Sequence, residues 1–469
     1  MKLFNTETRE KELIQPLEGN TLRMYTCGPT VYNFAHIGNF RTYVFEDLLR
    51  RTLKWLGYSV IQVMNITDID DKTLKGAIQQ GICLKAFTEP YANAFFEDLK
   101  TLNIEKVEHY PFATDFVPEM IKIIQALLKN GTAYQGTDGS VYFAIRKFPS
   151  YGRLSHFHLD DLQAGASMRV LQDEYDKESV SDFVLWKAYD PERDGEIYWE
   201  SPFGRGRPGW HIECSAMAMK LLGPSIDIHV GGVDNMFPHH ENEIAQSEAY
   251  SCCRFVRYWL HSEHLLVNNQ KMSKSLGNFF TLRDLLAKGY TGIEVRYLLL
   301  QTHYRTQLNF TFAGLDGARS ALRRFADFID RLRRWEKPGD LSVEQLVLNA
   351  RTLCTQHLGD DLNISATLAT LFDLVREVNG LCDRQALTTT DAQAVLQFLQ
   401  EIDAVLGVLP LNQEGLSIPQ ELEELLQQRE TARRNRDWAS ADACRDKIFS
   451  AGYLIEDTPT GAHLKKRLP

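Results

Sequence analysis

The sequence predicts an α/β fold in which a parallel sheet is divided by an insertion and followed by a helical bundle. Apolar stretches at Thr21–Thr26 and 59–66 flank an amphipathic stretch at 40–56, which gives a strand, a helix and a strand in succession. This order is typical of a βαβ unit and therefore of a parallel sheet. A short strand at 226–230 indicates that the sheet resumes after the insertion, and helical periodicity extends almost unbroken from 314 to 409.

Length and composition indicate a cytoplasmic protein of several domains. The 469 residues exceed what one hydrophobic core holds, and a prior of ~150 residues per domain gives about three domains. Hydrophobic residues make up 44% of the chain, no apolar run approaches the ~18 residues of a membrane span, and the N-terminus has no signal-like core. The eight cysteines include no C-x-x-C pair, which favours reduced thiols. We therefore expect a cytoplasmic location and no membrane partner.

The first βαβ unit carries two groups of candidate ligands. Cys27 follows the first strand, and nine residues later His36 begins a His-x-Gly turn that opens the helix. The first N–H groups of a helix are unpaired and its dipole is positive there, so this turn is suited to a phosphate. Thr67, Asp68 and Asp70 follow the second strand, where open α/β sheets place ligand groups. The alternative for this second group is an Asp-rich helix cap.

The middle of the chain is predicted to be an insertion, after which the parallel sheet resumes. Residues 112–201 combine short strands, such as the one at 139–145, with polar loops and a charged run at 171–181. After Gly209 a helix begins, and the strand at 226–230 leads into a Gly-Gly pair. Pro238 suits the first turn of a further helix, where its missing N–H costs nothing.

One interpretation of the cysteines and of the helix predicted to begin at Pro238 is that they form a metal site. His239 and Glu243 are four residues apart, so they face one point if both lie on that helix, with His240 and Glu241 competing at neighbouring angles. Cys27 and Cys214 both adjoin glycine-rich tips of the predicted sheet, and zinc accepts such a mixture of sulfur, nitrogen and oxygen ligands. The alternative is that both cysteines are small buried hydrophobic residues.

A nucleoside triphosphate site is the second interpretation. The turn at 36–39 brings backbone N–H groups close to a ligand, and the Lys-Met-Ser-Lys-Ser segment at 271–275 adds two ammonium groups. No Walker A sequence occurs, which argues against a P-loop ATPase.

The C-terminal third is predicted to carry basic helical surfaces. Lys plus Arg number 52 against 62 Asp plus Glu, and the net charge of -10 argues against indiscriminate nucleic-acid binding while permitting a local basic face. Six arginines lie in the first bundle helix: Arg319, Arg323, Arg324, Arg331, Arg333 and Arg334. Residues 412–419 are predicted to be a linker, and a small basic appendage follows at 420–469. For any one arginine the alternative is a solvated helix surface.

Five motifs in one order resemble those of class I aminoacyl-tRNA synthetases, and in particular those of the cysteinyl-tRNA synthetase family. They are Tyr25-Thr-Cys-Gly-Pro-Thr-Val-Tyr32 with His36-Ile-Gly-Asn39, Asn65-Ile-Thr-Asp-Ile-Asp-Asp71, Gly209-Trp-His-Ile-Glu-Cys214, Phe237-Pro-His-His-Glu-Asn-Glu243 and Lys271-Met-Ser-Lys-Ser275. The resemblance covers essentially the whole chain. Its one departure is Asn39, where the general signature has histidine, and relatives of the cysteine enzyme also have asparagine there.

The resemblance implies a site for each substrate. One Zn²⁺ facing the amino-acid pocket is held by Cys27, Cys214, His239 and Glu243. ATP, together with Mg²⁺, is expected to contact His36, Gly38, Asn39, Lys271 and Lys274 through its phosphates, and Gly231, Gly232 and Asp234 through its nucleoside. The substrate pocket is lined by Gly28, Thr67, Trp210, His211 and His229.

The resemblance also implies the reaction and the domain order. The expected activity is ATP-dependent ligation of L-cysteine to tRNA(Cys) through cysteinyl-adenylate, by a monomer. Two alternatives remain, a cysteine–amino-sugar ligase of thiol-cofactor synthesis and a non-catalytic tRNA-binding paralogue. The predicted segments are a split Rossmann-type catalytic sheet at 1–111 and 202–264, a connective insertion at 112–201, a Lys-Met-Ser-Lys-Ser segment at 265–313, an anticodon-binding helical bundle at 314–411 and a small C-terminal domain at 412–469.

Overall fold

The fold is described from a computed structural model, which covers residues 1–157, 182–273, 276–411, 420–458 and 461–466. Three predictions fall outside these residues, namely the charged run at 171–181, the linker at 412–419 and the position of Lys274. Among the helices in the described parts of the chain, none is long and apolar enough to cross a membrane.

The first part of the chain forms a hairpin and one half of a parallel sheet. In order it contains β1 (Lys2–Asn5), β2 (Glu10–Leu13), β3 (Thr21–Thr26), α1 (Ile37–Trp55), β4 (Ser59–Met64), α2 (Asp71–Gln80) and α3 (Leu84–Thr101). β3 and β4 pair in parallel, which confirms the predicted βαβ unit. The helix begins at Ile37, three residues before the predicted start, because His36 caps it. β4 ends at Met64, and Ile66 instead forms a bridge with Phe112.

The insertion forms an antiparallel sheet of its own. A 3₁₀ turn (Ala113–Phe116) and α4 (Val117–Lys129) precede β5 (Ala133–Gln135), β6 (Val141–Ala144), β7 (Asp182–Ala188), α5 (Pro191–Asp194) and β8 (Gly206–Pro208). The four strands pair in the order β5-β6-β7-β8. The short strands predicted for this part of the chain are therefore confirmed.

The parallel sheet then resumes. The elements are α6 (Trp210–Leu222), β9 (Ile226–Gly232), α7 (Val233–Asn235), a π-turn (Met236–His240), α8 (Glu241–Ser251) and β10 (Val256–Ser262). β9 pairs in parallel with both β3 and β10, which gives the order β10-β9-β3-β4. β9 therefore joins the two halves, as the sequence predicts.

The predicted helix start at Pro238 is confirmed by the backbone angles. In the turn that precedes α8 only Phe237 is non-helical, and helical backbone runs from Pro238 through His240 into Glu241, so Pro238 lies in the first turn. Phe237 has φ -137° and ψ 131°. A residue before proline is pushed out of the α region by the proline ring, so the helix cannot run through Phe237 into Pro238.

Both faces of the parallel sheet are covered, as is usual for parallel strands. Leu22 and Met24 of β3 pack in one core with α1 and the C-terminal bundle. Tyr25 and Cys27 pack in a second core with the insertion and α6. The alternation places Cys27 on the face that α6 and the insertion cover.

The connecting segment and the bundle complete the chain. They contain β11 (Leu265–Val267), β12 (Gln270–Lys271), α9 (Leu282–Ala287), α10 (Gly292–Leu300), β13 (Leu308–Phe310), α11 (Phe312–Arg333), α12 (Glu344–Gly359), α13 (Ile364–Asp383) and α14 (Thr389–Leu406). The last described elements are α15 (Gln420–Arg434), α16 (Trp438–Ser450), β14 (Tyr453–Thr458) and β15 (Gly461–Lys466). The helical periodicity predicted from 314 to 409 is thus confirmed as four consecutive helices, α11 to α14.

The arginines of α11 have different surroundings. Arg319 forms an ion pair with Glu294, and Arg331 forms one with Asp383. Arg324 lies over the ring of Phe372. These three contacts tie the helix to its neighbours, so the basic edge is partly neutralised within the protein.

Candidate active site and metal centre

The predicted site residues collect at the carboxyl edge of the parallel sheet. Cys27 directly follows β3, the pair Gly231 and Gly232 ends β9, and His261 lies near the end of β10. α1 begins at the same edge, because it follows β3. Open α/β sheets bind ligands at this edge.

Four buried side chains form a compact group at this edge. The ligand atoms of Cys27, Cys214, His239 and Glu243 all lie within 4.8 Å of one another. His239 Nε2 is 3.0 Å from Glu243 Oε1. Two sulfurs, one imidazole nitrogen and one carboxylate oxygen make up a donor set that zinc accepts, and the spacing suits a single ion. The residues present therefore fit a Zn²⁺ site.

The neighbouring side chains of this group shift one another's pKa values. Burial opposes ionisation of Cys214, but the hydrogen bond with Cys27 and the nearby His239 lower the pKa of its thiol to about 6. Burial likewise disfavours the charged form of His239, yet Cys214 and Glu243 raise its pKa to about 10. For Glu243, His229 and His239 outweigh burial and lower the pKa to about 2. The hydrogen bond with Cys214 and burial raise the pKa of Cys27.

These pKa directions give a site with one thiolate, one carboxylate, one imidazolium and one thiol. Metal ligands must be deprotonated, so a metal ion would replace the protons of His239 and Cys27. Binding of a metal cation at these four side chains would therefore release the protons of His239 and Cys27.

His229, predicted for the substrate pocket, lies behind Glu243 with no exposed surface. Its Nε2 is 2.9 Å from Glu243 Oε2, and its ring stacks on Trp259 at a centroid distance of 4.6 Å. The contact orients the carboxylate, as the outer partners of metal ligands usually do.

Trp210 and His211 both contact His239. His211 Nδ1 lies 2.9 Å from His239 Nδ1, and the Trp210 ring stacks on the His239 ring at 4.1 Å. Burial and the proximity of His239 lower the pKa of His211, so His211 is neutral. The two residues at the start of α6 thus fix the ring that faces Cys214.

His240 and Glu241, the two alternative ligand candidates, point to different parts of the structure. Glu241 turns toward the insertion, where its carboxylate accepts hydrogen bonds from the backbone N–H groups of Gly152, Leu154 and Ser155. His240 stays in the site, with Nε2 at 3.3 Å from Cys27 Sγ. A second compact group therefore exists, made of Cys27, His229, His240 and Glu243. The first group holds both cysteines and is the better zinc set.

His240 is the inner end of a hydrogen-bonded row. Its Nδ1 is 2.8 Å from His261 Nε2, and His261 Nδ1 is 2.8 Å from Thr6 Oγ1. Burial and neighbouring histidines lower the pKa of both rings, that of His261 to about 3. The row is neutral and fixes the ring that touches Cys27.

Gly28 brings the loop after β4 close to Cys27. Its N–H donates to Asn65 Oδ1 at 2.9 Å, and Asn65 Nδ2 donates to Thr67 Oγ1 at 3.0 Å. The backbone of Thr67 pairs with the segment after Gly28, because its N–H donates to the Pro29 carbonyl oxygen at 3.0 Å. Gly28 and Thr67, both predicted for the substrate pocket, are therefore neighbours.

Gly28→Ala is expected to lower the free energy of unfolding by about 1–3 kcal/mol, the usual cost of forcing volume into a packed site. The added methyl group would stand 1.7 Å from the Asn65 carbonyl oxygen, so the loop would have to move. Urea unfolding measures the loss. Gly317→Ala in α11 is the control, since nothing lies within 4 Å there, and it is expected to be neutral or to stabilise by about 0.5–1 kcal/mol. Equal stability of Gly28→Ala and the unchanged protein would contradict this close approach.

The loop after β4 was predicted to hold either pocket ligands or a helix cap, and Asp68 and Asp70 have different contacts in the structure. Asp70 caps α2 by accepting from the Lys72 N–H at 2.6 Å, as the helix-cap alternative predicts. Asp68 accepts from the Thr114 N–H at 2.9 Å and from its hydroxyl at 2.5 Å. Asp68 thereby joins the loop to the insertion.

The turn at 36–39 forms a capping box. His36 Nδ1 accepts from the Asn39 N–H at 3.2 Å, and Asn39 Oδ1 accepts from the His36 N–H at 3.1 Å. The Ile37 N–H donates to the Phe280 carbonyl oxygen at 3.0 Å. Two of the first N–H groups of α1 are thus occupied, which corrects the expectation that all of them are unpaired.

The structure brings the turn at 36–39 to the segment that follows Lys271. The His36 and Phe279 rings lie 5.2 Å apart, and a Cβ on Gly38 would stand 3.4 Å from the Met272 Cε. Lys271 itself is exposed at the end of β12, whereas Lys274 is outside the described residues. The two predicted phosphate motifs are therefore adjacent at the edge of the sheet.

The predicted nucleoside residues end β9. A Cβ on Gly231 would meet His240 Cε1 at 2.7 Å, and one on Gly232 would meet Asp234 Oδ1 at 2.3 Å. The Asp234 side chain is exposed. The glycines thus allow the backbone to pass close to His240 and leave Asp234 facing outward.

Several residues of the site were not identified from the sequence. His261 and Phe280 reach the site from segments distant in the chain, and only the position of His261 at a strand end signals its role. Glu213 precedes Cys214, is 1% exposed, and has its pKa raised by burial, Cys214, Asp70 and Asp68. Sequence reasoning passed over it because one helical glutamate carries no pattern.

Family comparisons cover most of the chain. Residues 13–320 match the model described as "tRNA synthetases class I (C) catalytic domain". Residues 355–410 match the DALR domain, and residues 417–464 match the "Cysteinyl-tRNA ligase anticodon binding domain".

Two curated relatives align along their whole lengths. The cysteine–tRNA ligase of Protochlamydia amoebophila is 59% identical over 468 residues, which is 100% of this chain and 98% of that protein. The cysteine–tRNA ligase of Chlamydia muridarum is 57% identical over 475 residues, with 99% of each chain covered.

Solved structures show the same fold at low sequence identity. The Mycobacterium tuberculosis methionyl-tRNA synthetase in complex with methionyl-adenylate superposes with a TM-score of 0.61 at 12% identity, over 83% of this chain and 92% of that chain. The LeuRS-tRNA-LeuAMS complex of Agrobacterium radiobacter K84 gives a TM-score of 0.57 at 13% identity, over 84% and 85% of the two chains. The α/β sheet with helical domains after it is thus shared with these enzymes.

Proposed function

The chain belongs to the cysteine–tRNA ligase family of class I tRNA synthetases, and from this premise we propose how its residues carry out the ATP-dependent ligation of L-cysteine to tRNA(Cys). The observation that carries the proposal is the buried group of Cys27, Cys214, His239 and Glu243 at the carboxyl edge of the sheet, beside the start of α1. Amino-acid selection and phosphate chemistry then occur at one edge.

The four residues of this group are proposed to hold one Zn²⁺. The bound ion would supply a soft Lewis acid for the substrate sulfur, which separates a thiol from the alcohol of serine. A pocket without such a group distinguishes near-isosteres by only ~100-fold. His229, His211 and His240 keep the ligands in place through the contacts described above.

The ATP site is proposed to lie between the start of α1 and the Lys271 segment. Activation joins the cysteine carboxylate to the α-phosphate and releases pyrophosphate, so the added charge appears on phosphate oxygens. Such a step needs positioning and cations, not a protein nucleophile. His36, Gly38 and Asn39 would shape the phosphate site, Lys271 and Lys274 would supply positive charge, and the end of β9 with Asp234 would face the nucleoside. ATP is expected to bind as its complex with Mg²⁺.

The tRNA is proposed to bind along the C-terminal helices. Arg323 of α11 and Arg334, which directly follows the helix, are exposed and lie near the arginines that the protein pairs internally. Exposed guanidinium groups contact phosphates through charge-assisted hydrogen bonds. In the transfer step the terminal ribose hydroxyl attacks the adenylate, whose phosphate can take up the proton.

The match of residues 417–464 to an anticodon-binding domain disfavours the cysteine–amino-sugar alternative, which lacks that region. Cysteine-dependent ATP–pyrophosphate exchange and charging of tRNA(Cys) test the function directly. We expect both activities, with serine rejected in the exchange assay. Exchange without charging would support the amino-sugar alternative, and absence of both would support the non-catalytic one.

Lys271→Ala is expected to lower kcat for ATP–pyrophosphate exchange by about tenfold, because one charge-assisted contact to the reacting phosphates is worth ~1.5–3 kcal/mol and water screens part of it at this exposed side chain. The KM for cysteine should stay within ~2-fold, since the thiol group lies elsewhere. Lys129→Ala, at the end of α4, is the matched control. A rise in the cysteine KM with unchanged kcat would contradict the assigned role.

A further inference from the structure

Two aromatic rings are exposed in the loop that joins the two halves of the site. This loop, residues 28–35, runs from the proposed zinc ligand Cys27 to His36 at the start of the phosphate turn. Tyr32 has 37% of its surface exposed and Phe34 has 41%. Adjacent large apolar groups left open to water mark a surface that another molecule covers, and functional loops commonly carry such groups.

Hydrogen bonds fix the backbone on both sides of these rings. The Val31 N–H donates to the Thr67 carbonyl oxygen at 3.0 Å, which fastens the loop to the segment after β4. Asn33 Oδ1 accepts from the Phe34 N–H at 2.9 Å. A surface that is already ordered loses little entropy when a ligand binds to it, so the two rings are prepared for a contact.

A cation lies over each ring. Lys72 Nζ, in the first turn of α2, is 5.0 Å from the centroid of the Tyr32 ring, and Arg283 Cζ, on α9, is 5.2 Å from that of the Phe34 ring. Arg283 is held in place because it also donates to the Ala94 carbonyl oxygen at 3.2 Å. Cation–π contacts of this length orient the rings. The exposed part of each ring is left for a flat ligand.

Positive charge continues from Tyr32 along α2. Lys75 is three residues after Lys72, so both lie on one side of the helix. Lys75 lines a cleft of about 430 Å³ between α2 and the insertion. Among the described residues, the charged side chains of this cleft are four cations and two carboxylates, namely Lys75, Lys187, Arg193, Arg207, Asp71 and Glu192. This excess of cations attracts a polyanion.

Aromatic rings beside a row of cations suit one kind of ligand in particular. Single-stranded nucleic acid has unpaired bases that stack on aromatic side chains, and phosphates that require cations. The 3′ end of tRNA is single-stranded, and its terminal ribose must reach the cysteine carboxylate. The proposed function places that carboxylate between the zinc ligands and the turn at 36–39, which is the interval that the loop at 28–35 spans.

We propose that Tyr32 and Phe34 stack on bases of the single-stranded 3′ end of tRNA(Cys), with Lys72 and Lys75 beside its phosphates. This inference rests on the proposed function, because it requires tRNA as a substrate. The contact acts in the transfer step and not in the activation of cysteine. A structural alternative is that the two rings only shape the amino-acid and ATP pockets, in which case activation would change as well.

The test compares two transcripts on zinc-loaded, full-length protein. One is complete tRNA(Cys), and the other lacks the single-stranded 3′ nucleotides. Filter binding gives both dissociation constants, and their ratio isolates the contribution of the 3′ end. The unchanged protein is expected to bind the complete transcript at least ~10-fold more tightly, the effect of stacking one or two bases. In Tyr32→Leu/Phe34→Leu, which keeps apolar side chains without flat rings, this preference should fall to ~3-fold or less.

ATP–pyrophosphate exchange needs no tRNA and provides the second readout. In the same double variant the exchange rate and the KM for cysteine should stay within ~2-fold, while kcat/KM for tRNA(Cys) in charging should fall by ~10-fold, because only the stacking contact is lost. Each single leucine variant should lose part of the preference for the complete transcript, which decides the matter if the double variant does not fold. Phe34→Tyr keeps a flat ring and should keep the preference.

Two further variants separate this contact from general effects on RNA binding. Tyr134→Leu is the matched control, because Tyr134 on β5 of the insertion is also exposed, at 44%, and its ring lies 5.9 Å from that of Tyr142. It should keep the ratio of the two dissociation constants. Lys75→Gln should reduce the slope of log Kd against log salt concentration by ~0.7 with the complete transcript alone, the value for one phosphate of a single strand.

An unchanged ratio in the leucine variants, or an equal fall of the ratio in Tyr134→Leu, would overturn the proposal. A loss of exchange activity as large as the loss of charging would also overturn it, since the rings would then belong to the amino-acid and ATP pockets. Absence of exchange and charging in the unchanged protein would instead contradict the proposed function, and this inference with it.

Discussion

Cys214→Ser is expected to abolish stoichiometric zinc binding and to reduce cysteine-dependent ATP–pyrophosphate exchange by at least ~100-fold. Loss of an outer partner of a metal ligand alone typically costs 10–100-fold in affinity, and loss of a ligand should cost more. Thiolate is the form of cysteine that binds metal, and a serine hydroxyl does not replace it. Cys214 lies within 4.8 Å of all three other ligand atoms, so no neighbouring thiol can take its place without moving. Metal analysis of the purified variant gives the zinc stoichiometry, and the exchange assay gives the rate.

Cys354→Ser is the matched control for this experiment. Cys354 is also fully buried, but it lies in α12 of the helical bundle, where burial raises the pKa of its thiol to about 12. This variant is expected to keep one zinc ion per chain and a normal cysteine KM. A full complement of zinc in Cys214→Ser, or an equal loss of zinc in both variants, would remove Cys214 from the ligand set.

The group of Cys27, Cys214, His239 and Glu243 shows which contacts can be predicted from sequence. Residues four apart on a helix point in the same direction, and this spacing predicted the contact between His239 and Glu243, which is 3.0 Å long in the structure. Strand ends reveal a shared edge, and the position of Cys27 followed from that rule, whereas Cys214 lies inside α6 and was assigned through the family resemblance. Both rules depend on regular backbone geometry, which sequence patterns report well.

The helix start at Pro238 was predictable, and the supporting contacts were harder to predict. Pro238 suits a first helical turn, and because a residue before proline leaves the α region, Phe237 ends the preceding turn there. His261 and Phe280 act through hydrogen bonds to His240 and Ile37, which come from elements far away in the chain. No local periodicity reports such contacts, because they depend on how completed elements are placed against one another.

The phosphate turn illustrates the same limit. The sequence predicts an anion site from unpaired N–H groups at the start of α1, yet Phe280 and His36 occupy two of them in the structure. The occupied N–H of Ile37 links the turn to the segment after Lys271. One donor at the start of α1 is therefore committed to a contact within the protein.

Arg296→Met is expected to lower the free energy of unfolding by about 2–5 kcal/mol, because each buried acceptor that it leaves without a donor costs about 1–3 kcal/mol. Arg296 lies on α10 with no exposed surface, and its guanidinium is 2.5 Å from Asp47 Oδ2 on α1. Its remaining N–H groups donate to the carbonyl oxygens of Leu406, Leu102 and Asn103 at 2.9–3.1 Å. One side chain thus joins α1 of the parallel sheet, the end of α3 and the C-terminus of the last bundle helix. Without it, Asp47 and the Asn103 carbonyl oxygen keep Arg51 as a donor, but the Leu406 and Leu102 carbonyl oxygens lose a buried donor.

Urea unfolding followed by far-ultraviolet circular dichroism measures the expected loss, and two variants define its origin. Arg296→Lys keeps the charge but cannot present five donors in a planar fork, so its stability should lie between those of the unchanged protein and Arg296→Met. Arg323→Met, on the exposed face of α11, should change the free energy of unfolding by less than about 0.5 kcal/mol. Because the lost contacts bridge the sheet and the bundle, Arg296→Met should also separate their unfolding into two transitions. A single transition at the midpoint of Arg323→Met would show that the apolar core common to α1 and the bundle, not Arg296, holds these parts together.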